Sequence, residues 1–433
     1  MRLILLYDKI DAAISSNDAV AIVHWKISIV AHNKKRDTMK KIAYVYDSFQ
    51  MYSNSVSDIL CNLACQFDES EYEQIVISAQ GTLTRPLTTK TFRGLKTYLP
   101  MSCSLKDILS NADLSIGQKL SSLWNSMICT VVTKIPRLGG IYKNSAHIHY
   151  YNKIFRLEKP EVVIYFSISP QEVFAKICKK RNIPYISLLY DTFASNPCIT
   201  PRDRKIESDA IANAVAYFVP NFFIHDYRKY YRHSNIYPFR LPLLIPKNKV
   251  LEAYERTESS FKFTYFGIMQ AFRNADRIKV FFQNLGETLD VFSPVNSDSD
   301  STYIFHKAVQ QEQLYEAVAA SDFLVAFDNS DPYAHYLPSK AYLYVSFTKP
   351  IIVFGDNQDS ALIRFLDGYP YCYYHNINDP SLDGLLEFIN ANQSAKGFDE
   401  ETYSRYKDYL PQAALCDVVA VIKSTANGNI AAM

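Results

Sequence analysis

From Lys40 onward, short runs of β-branched or aromatic residues alternate with helix-forming stretches, and the alternation occurs twice, on either side of a proline-rich break. Alternation of this kind builds βαβ units, and these build parallel sheets covered by helices. In the first half the pattern predicts strands at Ile42–Tyr46, Gln74–Ser78, Val162–Phe166, Tyr185–Leu189 and Ala216–Val219. Helical stretches fall at Ser55–Phe67, Gln118–Thr133, Pro170–Lys180 and Phe222–Tyr231, with a polar loop at Arg137–Ser145. The second half reads as strands Phe261–Phe266, Leu289–Phe292, Thr302–Phe305, Phe323–Phe327 and Pro350–Phe354, with helices Ala275–Leu285, Gln311–Ser321, Pro338–Phe347 and Ser381–Asn392.

Between the halves, Tyr237–Pro246 carries Pro238, Pro242 and Pro246. Proline fixes φ and withholds a backbone donor, so this segment is expected to be an extended connector and a hinge. With the polar stretch Lys247–Ser260 it divides the chain into an N-terminal α/β domain, residues 39–245, and a C-terminal one, residues 246–405. Glu400–Lys423 reads as helical, and residues 406–433 are expected to fold back toward the first domain. Residues 1–38 read as an extension of doubtful significance, because Met39-Lys40-Lys41 followed by an apolar strand looks like the start of a cytoplasmic α/β protein.

Composition limits the function classes. Lys and Arg total 46 against 44 Asp and Glu, a formal charge of +2, which leaves no cationic excess for non-specific nucleic-acid binding. No apolar run is long enough to span a membrane. The scattered cysteines contain no Cys-x-x-Cys pair and suit free thiols in a reducing compartment. His147-x-His149 lacks a third ligand at metal-binding spacing, and Asp298-Ser299-Asp300 reads as a solvated turn, so no metal is expected. The basic-aromatic segments Phe92–Tyr98 and Tyr227–Arg232 suit either ordinary surface or peripheral contact with a membrane face.

Chemistry concentrates in the second half. The strand Phe323–Phe327 ends at Asp328, and a short loop containing Asp331 and His335 leads to Leu337-Pro338-Ser339-Lys340 and a new helix. Pro338 suits a first helical turn, and the free N–H groups there, with the Lys340 ammonium, suit an anion such as a diphosphate. The strand Phe263–Phe266 ends in Gly267, which permits close approach of a ligand to the backbone, and Arg273 follows with a guanidinium able to fork onto a phosphate. In the first half, Asp191 ends a strand and is placed to orient or deprotonate a hydroxyl. Asp47 and Ser48 follow the opening strand, and Asn54 precedes a helix.

The order Tyr265-Phe266-Gly267, Arg273, Ala320–Phe323, Leu337-Pro338-Ser339-Lys340 and Lys349-Pro350-Ile351-Ile352 resembles the C-terminal half of GT-B glycosyltransferases over Phe261–Asp356. It looks most like the bacterial, retaining, nucleotide-sugar-dependent enzymes that build surface polysaccharides. The resemblance implies two Rossmann-like α/β domains facing each other across a cleft. It further implies a cytoplasmic or inner-face protein that moves a hexosyl unit to a glycan or lipid-linked acceptor without a metal or other cofactor. By resemblance, Gly267, Arg273, Pro338, Ser339 and Lys340 fall on the donor diphosphate, while the family's glutamate near the donor sugar is not evident here and leaves Asp328, Asp331 or His335 as substitutes. Asp47, Ser48 and Asn54 fall toward the acceptor. Arg273 and Lys340 would carry leaving-group stabilisation, with Asp191 as base if the configuration inverts. A second departure is that the family's ribose-binding glutamate, three residues after the lysine, is Leu343 here. That change keeps two alternatives open, a nucleotide-sugar epimerase of the same fold and a catalytically degenerate partner protein.

Overall fold

The computed structural model describes residues 39–50, 55–82, 96–98, 120, 148–149, 151–167, 172–189, 199–242, 247–253, 261–269, 273–293, 295, 298–307, 309, 311–330, 336–338, 340–392 and 397–429. The first half holds strands β1 (Lys40–Gln50), β2 (Tyr72–Thr82), β3 (Lys96–Tyr98), β4 (Val162–Ser167), β5 (Tyr185–Leu189), β6 (Ala216–Pro220) and β7 (Ile236–Phe239). Its labelled helices are α1 (Ser55–Ala64), α2 (Glu172–Arg181), α3 (Pro201–Asn213) and α4 (Ile224–Tyr230). The second half contributes α5 (Lys247–Ala253), β8 (Phe263–Phe266), α6 (Ala275–Leu285), β9 (Leu289–Ser293), β10 (Tyr303–Lys307), α7 (Gln311–Ala319) and β11 (Phe323–Phe327). It continues through α8 (Lys340–Ser346), β12 (Ile351–Gly355), α9 (Ala361–Leu366), β13 (Cys372–Asn376) and α10 (Asp383–Ala391). The chain then forms α11 (Glu400–Arg405), α12 (Pro411–Ala414) and α13 (Cys416–Ala426).

Two sheets result, ordered β3-β2-β1-β4-β5-β6-β7 and β10-β9-β8-β11-β12-β13, with every pairing parallel. Both have the doubly wound order in which the sheet grows outward in opposite directions from its first strand. Strands β5, β6, β11 and β12 are buried along their whole length, as central strands covered on both faces must be. Alternation sorts the side chains into two layers. Leu324 and Ala326 pack with α8, while Phe323, Val325 and Phe327 pack with Ile278 and Phe282 of α6.

Several elements differ from the sequence reading. Pro238 lies inside β7, not in a free connector; β7 is the edge of its sheet, where a residue without an N–H costs little. The polar stretch after the break begins with α5, whose Val250 is buried. Lys96–Tyr98 pairs with β2. Tyr227 and Tyr231 turn inward and are buried, which leaves Tyr230 as the exposed ring of that segment, with the Arg204 guanidinium 4.4 Å from its centroid. The C-terminal helical stretch is divided at Pro411. Its last helix, α13, packs on β1 and β4, with Val418 and Ile422 in the same cluster as Ile42 and Tyr44 and the Lys423 ammonium 5.8 Å from the Phe67 ring centroid. No helix among the described residues is long and apolar enough to cross a membrane.

Candidate functional site

In each sheet the order reverses beside the first strand, the place where doubly wound sheets generally form a ligand crevice. In the second sheet this point lies between β8 and β11. At the end of β8, Gly267 has φ +154°, a conformation that only glycine adopts readily. A Cβ there would lie 2.8 Å from the Tyr265 hydroxyl. Gly267→Ala is therefore expected to destabilise the chain by about 1–3 kcal/mol in chemical denaturation, and to displace Tyr265.

Displacing Tyr265 matters because it helps to hold Arg273. The guanidinium donates through Nη1 to the Tyr265 hydroxyl at 2.9 Å and to the Ile268 carbonyl at 3.0 Å, and through Nε to Asn329 Oδ1 at 2.9 Å. Asn329 in turn donates from Nδ2 to the Tyr336 carbonyl at 2.8 Å. Beside Arg273, Asn274 takes φ +52°, which asparagine tolerates better than most residues, and its amide donates to Ser330 Oγ. The turn after β8 is thus tied to the loop after β11, across the point where the sheet reverses. That loop runs on to Leu337 and Pro338, and Ala341 N–H donates to the Pro338 carbonyl at 2.9 Å. Lys340 opens α8 and is half-buried.

Asp328 sits at the end of β11 and is 2% exposed. Its Oδ1 accepts the Asn329 N–H at 2.8 Å and its own N–H reaches the Phe354 carbonyl, while Oδ2 has no hydrogen-bond partner among the described residues. Burial pushes this carboxyl up to about 7; the Ser360 hydroxyl, the Asn329 N–H and Arg273 oppose the shift, and Asp356 adds to it. Around it, Gly355 leaves room: a Cβ there would lie 3.0 Å from Asp328 Cβ and 3.2 Å from Tyr374 Cε2.

The structure thus brings Gly267, Arg273 and Asp328 together and leads from them to Pro338 and Lys340. Asn54, Asp191, His335 and Ser339 lie outside the described residues. Asp47 and Ser48 do not follow the opening strand but belong to it, since β1 continues to Gln50 with Ser48 paired to Gln80. Leu343 is 4% exposed in the core beneath α8, so nothing polar occupies the expected glutamate position. Lys349, part of the motif that carried the resemblance, is buried and structural: its ammonium donates to the Ala319 and Ser321 carbonyls where α7 ends. Sequence reading missed Tyr265, Asn274, Asn329 and Ser360. Asn329-Ser330 directly after a fully apolar strand was the available signal, because residues at that position rim the crevice.

Asp300 Oδ1 accepts the Thr302 and Tyr303 N–H groups and Oδ2 meets the Lys279 ammonium, contacts that hold the carboxylate down at about 2. Among the described residues no group of three or more His, Cys, Asp or Glu side chains is placed to hold a metal ion. Chemically, the reversal point offers a glycine turn and an anchored guanidinium, a pair suited to an anion.

No protein-family model and no curated protein matches the sequence. Solved structures do match the fold over nearly the whole chain. HepE of Anabaena in complex with UDP matches at TM-score 0.59 and 7% identity, covering 89% of this chain and 100% of that one. A sucrose-phosphate synthase from Thermosynechococcus elongatus matches at TM-score 0.58 and 8% identity, covering 90% and 98%. The lipopolysaccharide outer core galactosyltransferase WaaB matches at TM-score 0.54 and 11% identity, covering 89% and 99%. The chain has the GT-B fold, two Rossmann-like α/β domains.

Proposed function

We propose that the chain is a glycosyltransferase that moves a hexosyl unit from a nucleotide-sugar donor to a glycan or lipid-linked acceptor in polysaccharide assembly. The observation that carries the reading is the Arg273–Asn329 bridge beside Gly267, an anchored cation at the reversal point of the second sheet. The UDP complex of the similar HepE structure supports a nucleoside diphosphate as the donor's leaving group. As that group departs, negative charge grows on its terminal phosphate, and Arg273 and Lys340 stabilise it without a metal. The acceptor enters from the first domain, past the end of β1 and the Asp191 region. Transfer with retention leaves no obligatory side-chain base; with inversion Asp191 takes that role.

Leu343, apolar and buried where a ribose-binding carboxylate is expected, favours one other reading, a GT-B protein that assembles with enzymes but does not turn over donor. A thermal-shift panel of UDP, GDP, ADP, CMP and dTDP separates the two. Selective stabilisation by one diphosphate, lost when Arg273→Ala and Lys340→Ala are combined, is the expected result. No shift with any nucleotide sinks the transferase reading.

A further inference from the structure

We propose that Asp328 couples anion binding to a proton: a nucleoside diphosphate occupies the crevice beside Arg273 as the Asp328 carboxylate takes up one proton from solvent. The inference rests on reading this crevice as a nucleotide-sugar site.

The geometry favours a neutral carboxyl once the anion is present. Asp328 is buried at the end of β11, and Oδ2 has no donor among the described residues, a situation a neutral acid tolerates far better than a carboxylate. The groups around it offer little compensation. Asn329, its neighbour in the chain, gives one backbone N–H. From the end of β12 come Gly355, with no side chain, and Asp356, of like charge. Ser360, the cap of α9, has its hydroxyl accepting the Ile363 N–H and only partly opposes the upward shift of the carboxyl. Tyr374 of β13 presents a ring and a buried hydroxyl that itself has no partner among the described residues.

The opposite charge comes from Arg273, across the reversal point and already bonded to Asn329, Tyr265 and Ile268. A diphosphate seated on Arg273 changes both sides of this balance. It brings negative charge near Asp328 and neutralises the cation that favoured the ionised form. Both effects raise the proton affinity of Asp328. By linkage, the proton raises anion affinity by the same factor. Because burial already holds the carboxyl at about 7, the exchange falls in the neutral to mildly alkaline range.

The test is isothermal titration of the full chain with UDP, GDP, ADP and dTDP in turn, at pH 8 and 9, above the second ionisation of a terminal phosphate at about 6. At pH 8 in HEPES and in Tris, the binding enthalpies are expected to differ by an uptake approaching one proton. The uptake is expected to vanish in Asp328→Asn. Affinity should fall roughly tenfold from pH 8 to 9 in the natural chain and stay flat in the variant. Binding without proton uptake in the natural chain overturns the proposal, as does equal uptake in both proteins. The two-buffer comparison on the natural chain decides alone if the variant fails to fold. Failure of both proteins to bind any diphosphate overturns the nucleotide-sugar reading first, before any proton is counted, and this proposal with it.

Discussion

Glu207→Ala is expected to destabilise the first domain by roughly 3–6 kcal/mol, enough to unfold a chain of ordinary stability near its physiological temperature. Glu207 lies in α3 with no solvent exposure. Its Oε1 accepts from the Tyr217 and Tyr227 hydroxyls, both at 2.9 Å, and Oε2 accepts from Tyr231. The carboxylate therefore joins α3, β6, α4 and the residue that ends α4 through a single side chain. Burial raises its proton affinity, and the three phenols oppose that shift. Removing the acceptor leaves three largely buried hydroxyls to find new partners, at about 1–3 kcal/mol for each that fails. Glu207→Gln keeps an acceptor oxygen and should cost only about 1–2 kcal/mol. Urea denaturation of both variants checks the order. Equal losses would show that the carboxylate's charge, which both variants remove, sets the cost, and that neither the cavity nor a remaining acceptor oxygen matters.

Helix α3 also marks where sequence reading stopped short. Hydrophobic alternation located Tyr185–Leu189, Phe323–Phe327 and Ala275–Leu285 at their observed bounds, because buried parallel strands and one-sided helices leave strong periodic signals. Helix α3 buries Glu207 beside Ala210 and Ile211, so its core face does not read as apolar. Its boundary was nonetheless written in the chain: Thr200 and Asp203 form a capping box, with Pro201 in the first turn. Strand β13 was missed for a related reason. Cys372, Tyr373 and Tyr374 at an edge are only partly buried, and they alternate polar tips with rings that pack.

The candidate site was legible where chemistry depends on residue type and less so where it depends on partners. Gly267 and Arg273 could be picked out from a strand ending in glycine and a cation just beyond it. That Arg273 would be anchored by Tyr265 and Asn329 could not, since Tyr265 reads as core and Asn329 lies distant in sequence. Lys349 shows the converse. It belongs to a recognisable motif, yet its ammonium is buried and caps the carbonyls at the end of α7.

Asp328→Asn is expected to stabilise the chain at pH 8 and to lose that advantage as the solution is acidified. In the folded chain the carboxyl is held at about 7, against 3.8 for an unperturbed aspartate. Below 3.8 both states are protonated, and burial of Asp328 carries no ionisation cost. As pH rises, the unfolded chain ionises first, so stability falls until pH passes about 7, where the loss is complete. At about 1.4 kcal/mol for each tenfold change in proton affinity, the rise from 3.8 to about 7 sets an upper bound of about 4 kcal/mol. Asparagine keeps an oxygen for the Asn329 N–H, but it places an amide near the unpartnered Oδ2 position, which returns about 1–2 kcal/mol of that gain. The net expectation is about 2 kcal/mol of added stability at pH 8, near equality at pH 5, and a slightly weaker variant at pH 4, read from urea midpoints across the series. A pH-independent difference would mean that Asp328 does not change its protonation state across the series. The stability that the natural chain forgoes above neutrality is then the free energy available to make anion binding draw in a proton, since one buried carboxyl sets both quantities.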